Sequence, residues 1–314
     1  MGKFDKICRM TQPELKEHVE RELIASGYEP IVGDGYVYAK GDGKTPVLLT
    51  AHLDTVHKEP VMTIRKCKGV VSSAQGIGGD DRCGVHIILT ILKATQYRPS
   101  ILFCEDEEIG GVGSTKFTNV KECNELADLK FFIELDRAGS NDAVFYECYN
   151  PEFTDFILDK TGYKEQYGSF SDISVLSPAT GIASVNLSCG YYNAHTTKEY
   201  VVLSEMEATK NVTVNLLKEA QKDETPQFEY IEYVYNKTWK YGYGDYYDYT
   251  YANTWSSGTT YGGGSKELYL MWYDTEGNLR DETVIAGSIN EAWGQFFLDN
   301  PSVCFNDILD FDYV

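Results

Sequence analysis

No stretch of this chain is apolar for long enough to span a bilayer, and the opening Met1-Gly2-Lys3-Phe4-Asp5-Lys6-Ile7-Cys8 has no apolar segment of the secretory kind. The expectation is a cytoplasmic protein with no membrane partner. Basic residues are scarce: 28 Lys and Arg stand against 48 Asp and Glu, a formal net charge of −20. With no dense Lys/Arg cluster to offset that field, a phosphate backbone is repelled and nucleic acid is not an expected partner. The eight cysteines (Cys8, Cys67, Cys83, Cys104, Cys123, Cys148, Cys189, Cys304) form no CxxC pair. Several stand inside apolar runs, which reads as reduced structural thiols rather than disulfides or a thiolate metal site.

The chain has 314 residues, 42% hydrophobic and 24% charged, enough for one sizeable α/β domain and a smaller appendage. Thr11 as N-cap, Pro13 just inside and Glu14 as capping-box partner open a helix with Leu15, Val19, Leu23 and Ile24 on its apolar face. Short β-rich runs follow at Tyr36 to Ala39 and Val47 to Thr50. Continuous apolar strands then recur at Ser100 to Cys104 and Phe131 to Leu135, separated by helical stretches such as Val85 to Ala94. A helix at Ser171 to Leu176, a strand at Ala183 to Leu187 and a closing helix from about Ser204 to Lys222 complete the series. This alternation predicts an α/β fold with a mostly parallel central sheet flanked by helices.

Polar residues suited to bind metal stand just after successive strands, where an open α/β sheet gathers its functional groups. In His52-Leu53-Asp54 an imidazole is followed by a carboxylate able to hold its second ring nitrogen. Asp80 and Asp81 lie in a glycine-bounded turn feeding a helix, where a pair of capping aspartates is the plainer reading. Glu105-Asp106-Glu107-Glu108 follows a buried strand, and four acids there repel one another unless a cation or solvent neutralises them. Glu134-Leu135-Asp136-Arg137 ends the next strand, and His195 closes Gly190-Tyr191-Tyr192-Asn193-Ala194-His195.

Taken together, His52-x-Asp54, Asp80-Asp81, Asp106-Glu107-Glu108, Asp136, the segment ending in His195 and the following Glu199-Tyr200-Val201 resemble, in content and order, the metallopeptidases with two co-catalytic zinc ions, peptidase T and its relatives. The resemblance runs from about Pro46 to Leu217. It implies that His52 and Asp136 bind one zinc, that Glu108 and His195 bind the other, and that Asp80 bridges them. It further implies that Asp54 orients His52 and that Glu107 is the general base. Cobalt or manganese also suits such a nitrogen and oxygen set. Too few residues separate Asp136 from His195 for the second domain that peptidase T inserts there, so no lid or dimerisation domain is expected. In that compactness the chain resembles the single-domain zinc aminopeptidases.

The remaining polar residues carry plainer expectations. His57 reads as a neighbour of the ligand loop, His86 as a core histidine and His18 as solvent-facing. Arg137 reads as paired with local acids, although it suits a substrate carboxylate, and Asp172 reads as a helix cap. Tyr191, Tyr192 or Asn193 is a candidate oxyanion donor. After Pro226 the sequence turns tyrosine-rich and ends in Gly262-Gly263-Gly264. The expected organisation is a catalytic domain over 1–225, a Tyr/Gly-rich linker or arm over 226–264 and a small α+β unit over 265–314. That last unit is read as a hairpin (Glu267 to Tyr273, Asn278 to Ala286), a helix from Ser288 to Phe297 and a final strand. The functional expectation is a zinc hydrolase acting on short peptides as an aminopeptidase. A deacylase of small N-acyl compounds and a non-catalytic assembly protein that keeps the fold stand as alternatives. Oligomeric state is left open by the sequence.

Overall fold

The computed structural model describes residues 3–57, 60–232, 266–273, 279–286, 296 and 308–313. In chain order its first elements are α1 (Lys3–Cys8), α2 (Gln12–Ala25), β1 (Ile31–Gly33), β2 (Tyr36–Ala39), β3 (Val47–His52), β4 (Arg65–Cys67) and β5 (Val70–Ser72). There follow α3 (Gly79–Ala94), β6 (Ser100–Cys104), α4 (Val112–Thr118), β7 (Phe131–Arg137), β8 (Asp142–Val144), α5 (Pro151–Thr161), β9 (Lys164–Gln166) and α6 (Ile173–Thr180). The first unit closes with β10 (Ser184–Ser188), β11 (Tyr191–Tyr192), β12 (Tyr200–Val202) and α7 (Leu203–Ala220). None of the described helices is long and apolar enough to cross a membrane.

Eight strands form the main sheet in the order β1-β2-β6-β3-β7-β10-β8-β9. The central four, β6, β3, β7 and β10, pair parallel, as their continuous apolar runs require of strands covered on both faces. Alternate residues sort cleanly between two cores. Val47, Leu49, Ile101, Phe103, Phe131, Ile133 and Val185 face the side covered by α3, α5 and α7. Leu48, Leu102 and Phe132 face the side covered by α4 and α6, with Phe117, Ile173 and Leu176. On the first side Phe131, Phe153, Phe156 and Phe228 pack with ring centroids 5.1 to 6.2 Å apart. Phe131, Phe153 and Phe228 are buried, each contributing roughly 1.5–3 kcal/mol, and Phe156 is partly buried beside them.

The opening helix forms as its signals predict, with the Glu14 carboxylate accepting from both the N–H and the hydroxyl of Thr11 at 2.9 Å. Leu15, Val19 and Leu23 are buried, but Ile24 is 55% exposed and does not join the core face. Between Asp136 and His195 there is no inserted domain: β8 and β9 extend the main sheet while α5 and α6 pack on opposite faces of it. A second, antiparallel sheet, β11-β12-β5-β4, has no counterpart in the sequence expectation. Its hairpin β11/β12 carries the segment with His195.

The chain divides into two compact units, 1–239 and 240–314. Past Pro226 it continues along the first unit: Phe228 is 4% exposed, its N–H donates to the Lys130 carbonyl at 2.8 Å, and its carbonyl accepts from Ala183 at 2.9 Å. Tyr230 N–H donates to Gly181, and Tyr149 N–H donates to Ile231. In the second unit β13 (Lys266–Tyr273) pairs antiparallel with β14 (Leu279–Ala286) and with β15 (Ile308–Tyr313). The tyrosine-rich arm from residue 233 onward and most of the expected helix from Ser288 to Phe297 lie outside the described residues. The seven described cysteines are free, and all but Cys67 are buried.

Candidate metal centre

Parallel strands put their carboxyl ends on one edge of the sheet. His52 ends β3 directly opposite Cys104 of β6, so Glu105 to Glu108 emerge beside it. On the other flank Glu134 of β7 lies opposite Thr50, which brings Asp136 level with His52. The chain passes from β3 to β6 on one side and then to β7 on the other, so the edge above β3 is a topological switch point. Onto it α3 delivers Asp80 and Asp81. Close seating of that helix depends on Gly84, where a Cβ would stand 1.9 Å from the Leu135 carbonyl.

Five distant side chains meet there. His52, 1% exposed, has its Nε2 3.0 Å from Asp80 Oδ1 and 3.4 Å from Asp136 Oδ1. His195 Nε2 lies 3.2 Å from Asp80 Oδ2 and 3.0 Å from Glu108 Oε2. Each oxygen of Asp80 therefore faces a different imidazole, and each of the two Nε2 atoms has one further carboxylate beside it. Potential ligand atoms of His52, Asp80 and Glu108, and likewise of His52, Asp81 and Asp136, lie within 4.8 Å of one another.

Surrounding groups hold these side chains in place. Asp54 Oδ1 lies 3.2 Å from His52 Nδ1, the usual way a carboxylate fixes an imidazole beside a metal. The same carboxylate accepts the N–H of Glu107 at 3.1 Å and of Glu108 at 3.0 Å, tying the acidic loop to the histidine. Asp136 N–H donates to Asn186 Oδ1 at 2.9 Å, and its Oδ2 lies 3.2 Å from the Ser171 hydroxyl, which donates to Glu134.

The electrostatics describe acids crowded beyond what two histidines balance. Burial opposes a charged His52, but Asp136, Asp54 and Asp80 outweigh it and hold its pKa well above the ordinary value. Hydrogen bonds to Asp80 and Glu108 raise His195 to about 11. Burial works against an ionised Asp80, yet its contacts with His195 and His52 pull it below the usual range. Burial, then the charge of Asp80, pushes Asp136 up to about 7. Burial likewise drives Asp81, Glu107 and Glu134 well upward. Like charges so close remain ionised together only when cations share the pocket. Glu108 Oε1 is buried with no hydrogen-bond partner, an oxygen left over for a ligand. Two imidazole nitrogens and several carboxylate oxygens are a donor set that fits zinc or a similar divalent ion.

Several expectations are corrected here. The aspartate pair divides its labour: Asp81 Oδ1 accepts the Gly84 N–H at 2.8 Å and caps the helix, whereas Asp80 does not cap and turns to the imidazoles. Tyr191 and Tyr192 are not free oxyanion donors, since Tyr191 OH donates to the Asp136 carbonyl at 2.8 Å and Tyr192 OH to Glu205 at 2.6 Å. Asp172 stands at the N-cap position of α6 but is fully buried, and its side chain makes no capping hydrogen bond. His18 is buried rather than solvent-facing, 3.8 Å from Glu22, and burial lowers its pKa. Arg137 forms no ion pair among the described residues, and its Nε is buried without a hydrogen-bond partner. His86 is half-buried rather than within the core, edge-on to Phe4, with burial lowering it to about 4.

Residues 36–167 match the family model of Peptidase family M28. The fold is similar to that of an aminopeptidase PepT from Bacillus cereus, 15% identical with a TM-score of 0.57, over 70% of this chain and 97% of that one. A tripeptidase from Staphylococcus aureus is 14% identical with a TM-score of 0.56, over 69% and 96%. An aminopeptidase from the archaeon Desulfurococcus kamchatkensis is 13% identical with a TM-score of 0.55, over 69% and 94%. No curated protein matches the chain. The family match supports a metallopeptidase, and the solved structures show the fold.

Proposed function

We propose that the first unit is an aminopeptidase that cleaves short peptides with two co-catalytic metal ions, zinc being the best fit to the donors and cobalt or manganese able to replace it. The observation that carries this reading is Asp80, whose two oxygens face His52 and His195 separately, 3.0 and 3.2 Å away. His52 and Asp136 would hold one ion, His195 and Glu108 the other, and Asp80 both. Ions bound there would lower the pKa of a water molecule and polarise the carbonyl to be attacked.

The protein's own groups do the rest. Glu107 takes the proton of the attacking water and returns it to the departing amine. Asp54 fixes His52 and, through the two N–H groups it accepts, the path of the Glu107–Glu108 loop. The acidic walls, in a chain of net charge −20, favour a substrate that arrives with a cationic amino terminus.

The test is a screen of metal-loaded protein against dipeptides, tripeptides, N-blocked peptides and N-acyl amino acids, with a chelator control. Free-amino peptides are expected to turn over, and chelation to stop them. Turnover of the N-acyl set alone would replace the aminopeptidase by a deacylase using the same centre.

A further inference from the structure

Glu199 is fully buried four residues beyond His195, on the run from that histidine into β12. Its Oε2 accepts the Gly78 N–H at 2.7 Å and lies 3.1 Å from His57 Nε2, while its Oε1 accepts the Asp80 N–H at 3.0 Å. One carboxylate therefore joins three segments: the one that carries His52 and Asp54, the turn that carries Asp80, and the loop that carries His195. The turn has no slack on it. A Cβ at Gly79 would stand 2.7 Å from Tyr191 Cβ, 2.8 Å from Val201 Cγ2 and 3.2 Å from Glu199 Oε1. Arg82, 4% exposed, lies in the field of Glu199 and donates to the carbonyls of Leu53 and Met10, so a buried positive charge stands near the buried carboxylate.

We propose that Glu199 is a positioning residue that clamps the Gly78–Asp80 turn against the His195 loop and thereby sets how Asp80 is shared between the two metal positions. The inference rests on the two-metal reading above. It assigns Glu199 no contact with substrate and no proton to move. Its effect passes through the peptide N–H of the bridging aspartate itself, and outer partners of this kind carry about 10–100-fold in metal affinity.

The experiment compares wild-type protein with Glu199→Gln and Glu199→Ala, titrating zinc into metal-free protein with a competing chromophoric chelator. Circular dichroism of each metal-free variant gives the folding control. Glu199→Ala is expected to weaken the second zinc about 10–100-fold more than the first. Glu199→Gln keeps an amide oxygen for one of the two N–H groups and should fall between. At saturating zinc KM for a dipeptide should hold while kcat falls, because nothing that touches substrate has changed. If Glu199→Ala does not fold, the Glu199→Gln titration decides. Two zinc ions bound with wild-type affinities in the folded variants would overturn the clamp while leaving the two-metal centre intact. A wild-type chain that binds no zinc would overturn both.

Discussion

Glu107→Gln is expected to retain both metal ions and to lose hydrolysis by about 10²–10⁴-fold, the range a positioned acid–base group supplies. The substitution keeps the shape of the side chain and the main-chain N–H that Asp54 Oδ1 accepts at 3.1 Å, so the loop should not move. It keeps Glu108, whose own N–H is held by the other oxygen of the same aspartate. What it removes is the capacity to take a proton from water and pass it to the amine. Steady-state kinetics on a dipeptide, with metal content measured on the same samples, separates the two effects. Full activity in the variant would refute the role given to Glu107, and loss of metal would show that it acts as a ligand instead.

Asp80→Ala should do more damage and of a different kind. Among the described residues Asp80 is the one carboxylate beside the Nε2 of both imidazoles, and each of those nitrogens has one further acid at hand, Asp136 at 3.4 Å or Glu108 at 3.0 Å. Removing it takes a donor from both positions and leaves His52 and His195 with no group in common. Metal content is expected to fall from two ions to one or none. Activity should drop by more than the 10–100-fold carried by outer partners of a metal, to the level of chelated protein. Elemental analysis after dialysis against zinc measures the first, and the dipeptide assay the second. A variant that still binds two ions would mean that the bridging position belongs to another acid. Asp81, fully buried with His52 N–H on its Oδ2 at 3.2 Å, is then the one to examine.

Much of this fold can be read from sequence because its central strands are parallel. A strand covered on both faces is apolar throughout, so Val47 to Thr50, Ser100 to Cys104 and Phe131 to Leu135 stand out without any alternation to decode. Some of the elements missed have little burial to advertise them. Strands β1, β4 and β9 are three residues long and largely exposed, and their pairing is set by what lies beside them in space. Helix α3 begins at Gly79, ahead of the apolar stretch from Val85 that signals it in sequence, because its first turn holds Asp80 and Asp81, which are not helical in φ and ψ and add no apolar period.

The site divides the same way. Of the side chains that would touch metal, His52, Glu108 and Asp136 stand at or just beyond the ends of apolar strands, and imidazoles and paired acids there announce themselves. The groups that hold them do not. Glu199 meets Asp80 from 119 residues away, Asn186 meets Asp136 from 50, and Ser171 meets Glu134 from 37. No local spacing encodes such contacts, since they exist only once β10 and the β11/β12 hairpin have been laid beside β7 and α3. Arg137 shows the converse error. A basic residue among so many acids looks paired in sequence, yet the strand ends so that no carboxylate comes within reach of it among the described residues.

Diffraction data from zinc-loaded crystals, collected on either side of the zinc absorption edge, address the central claim most directly. Two anomalous peaks should appear, one among His52, Asp136 and Asp80 and the other among His195, Glu108 and Asp80, with a carboxylate oxygen of Asp80 against each. An anomalous map with no peak at these side chains, or with zinc bound only elsewhere on the chain, would contradict it.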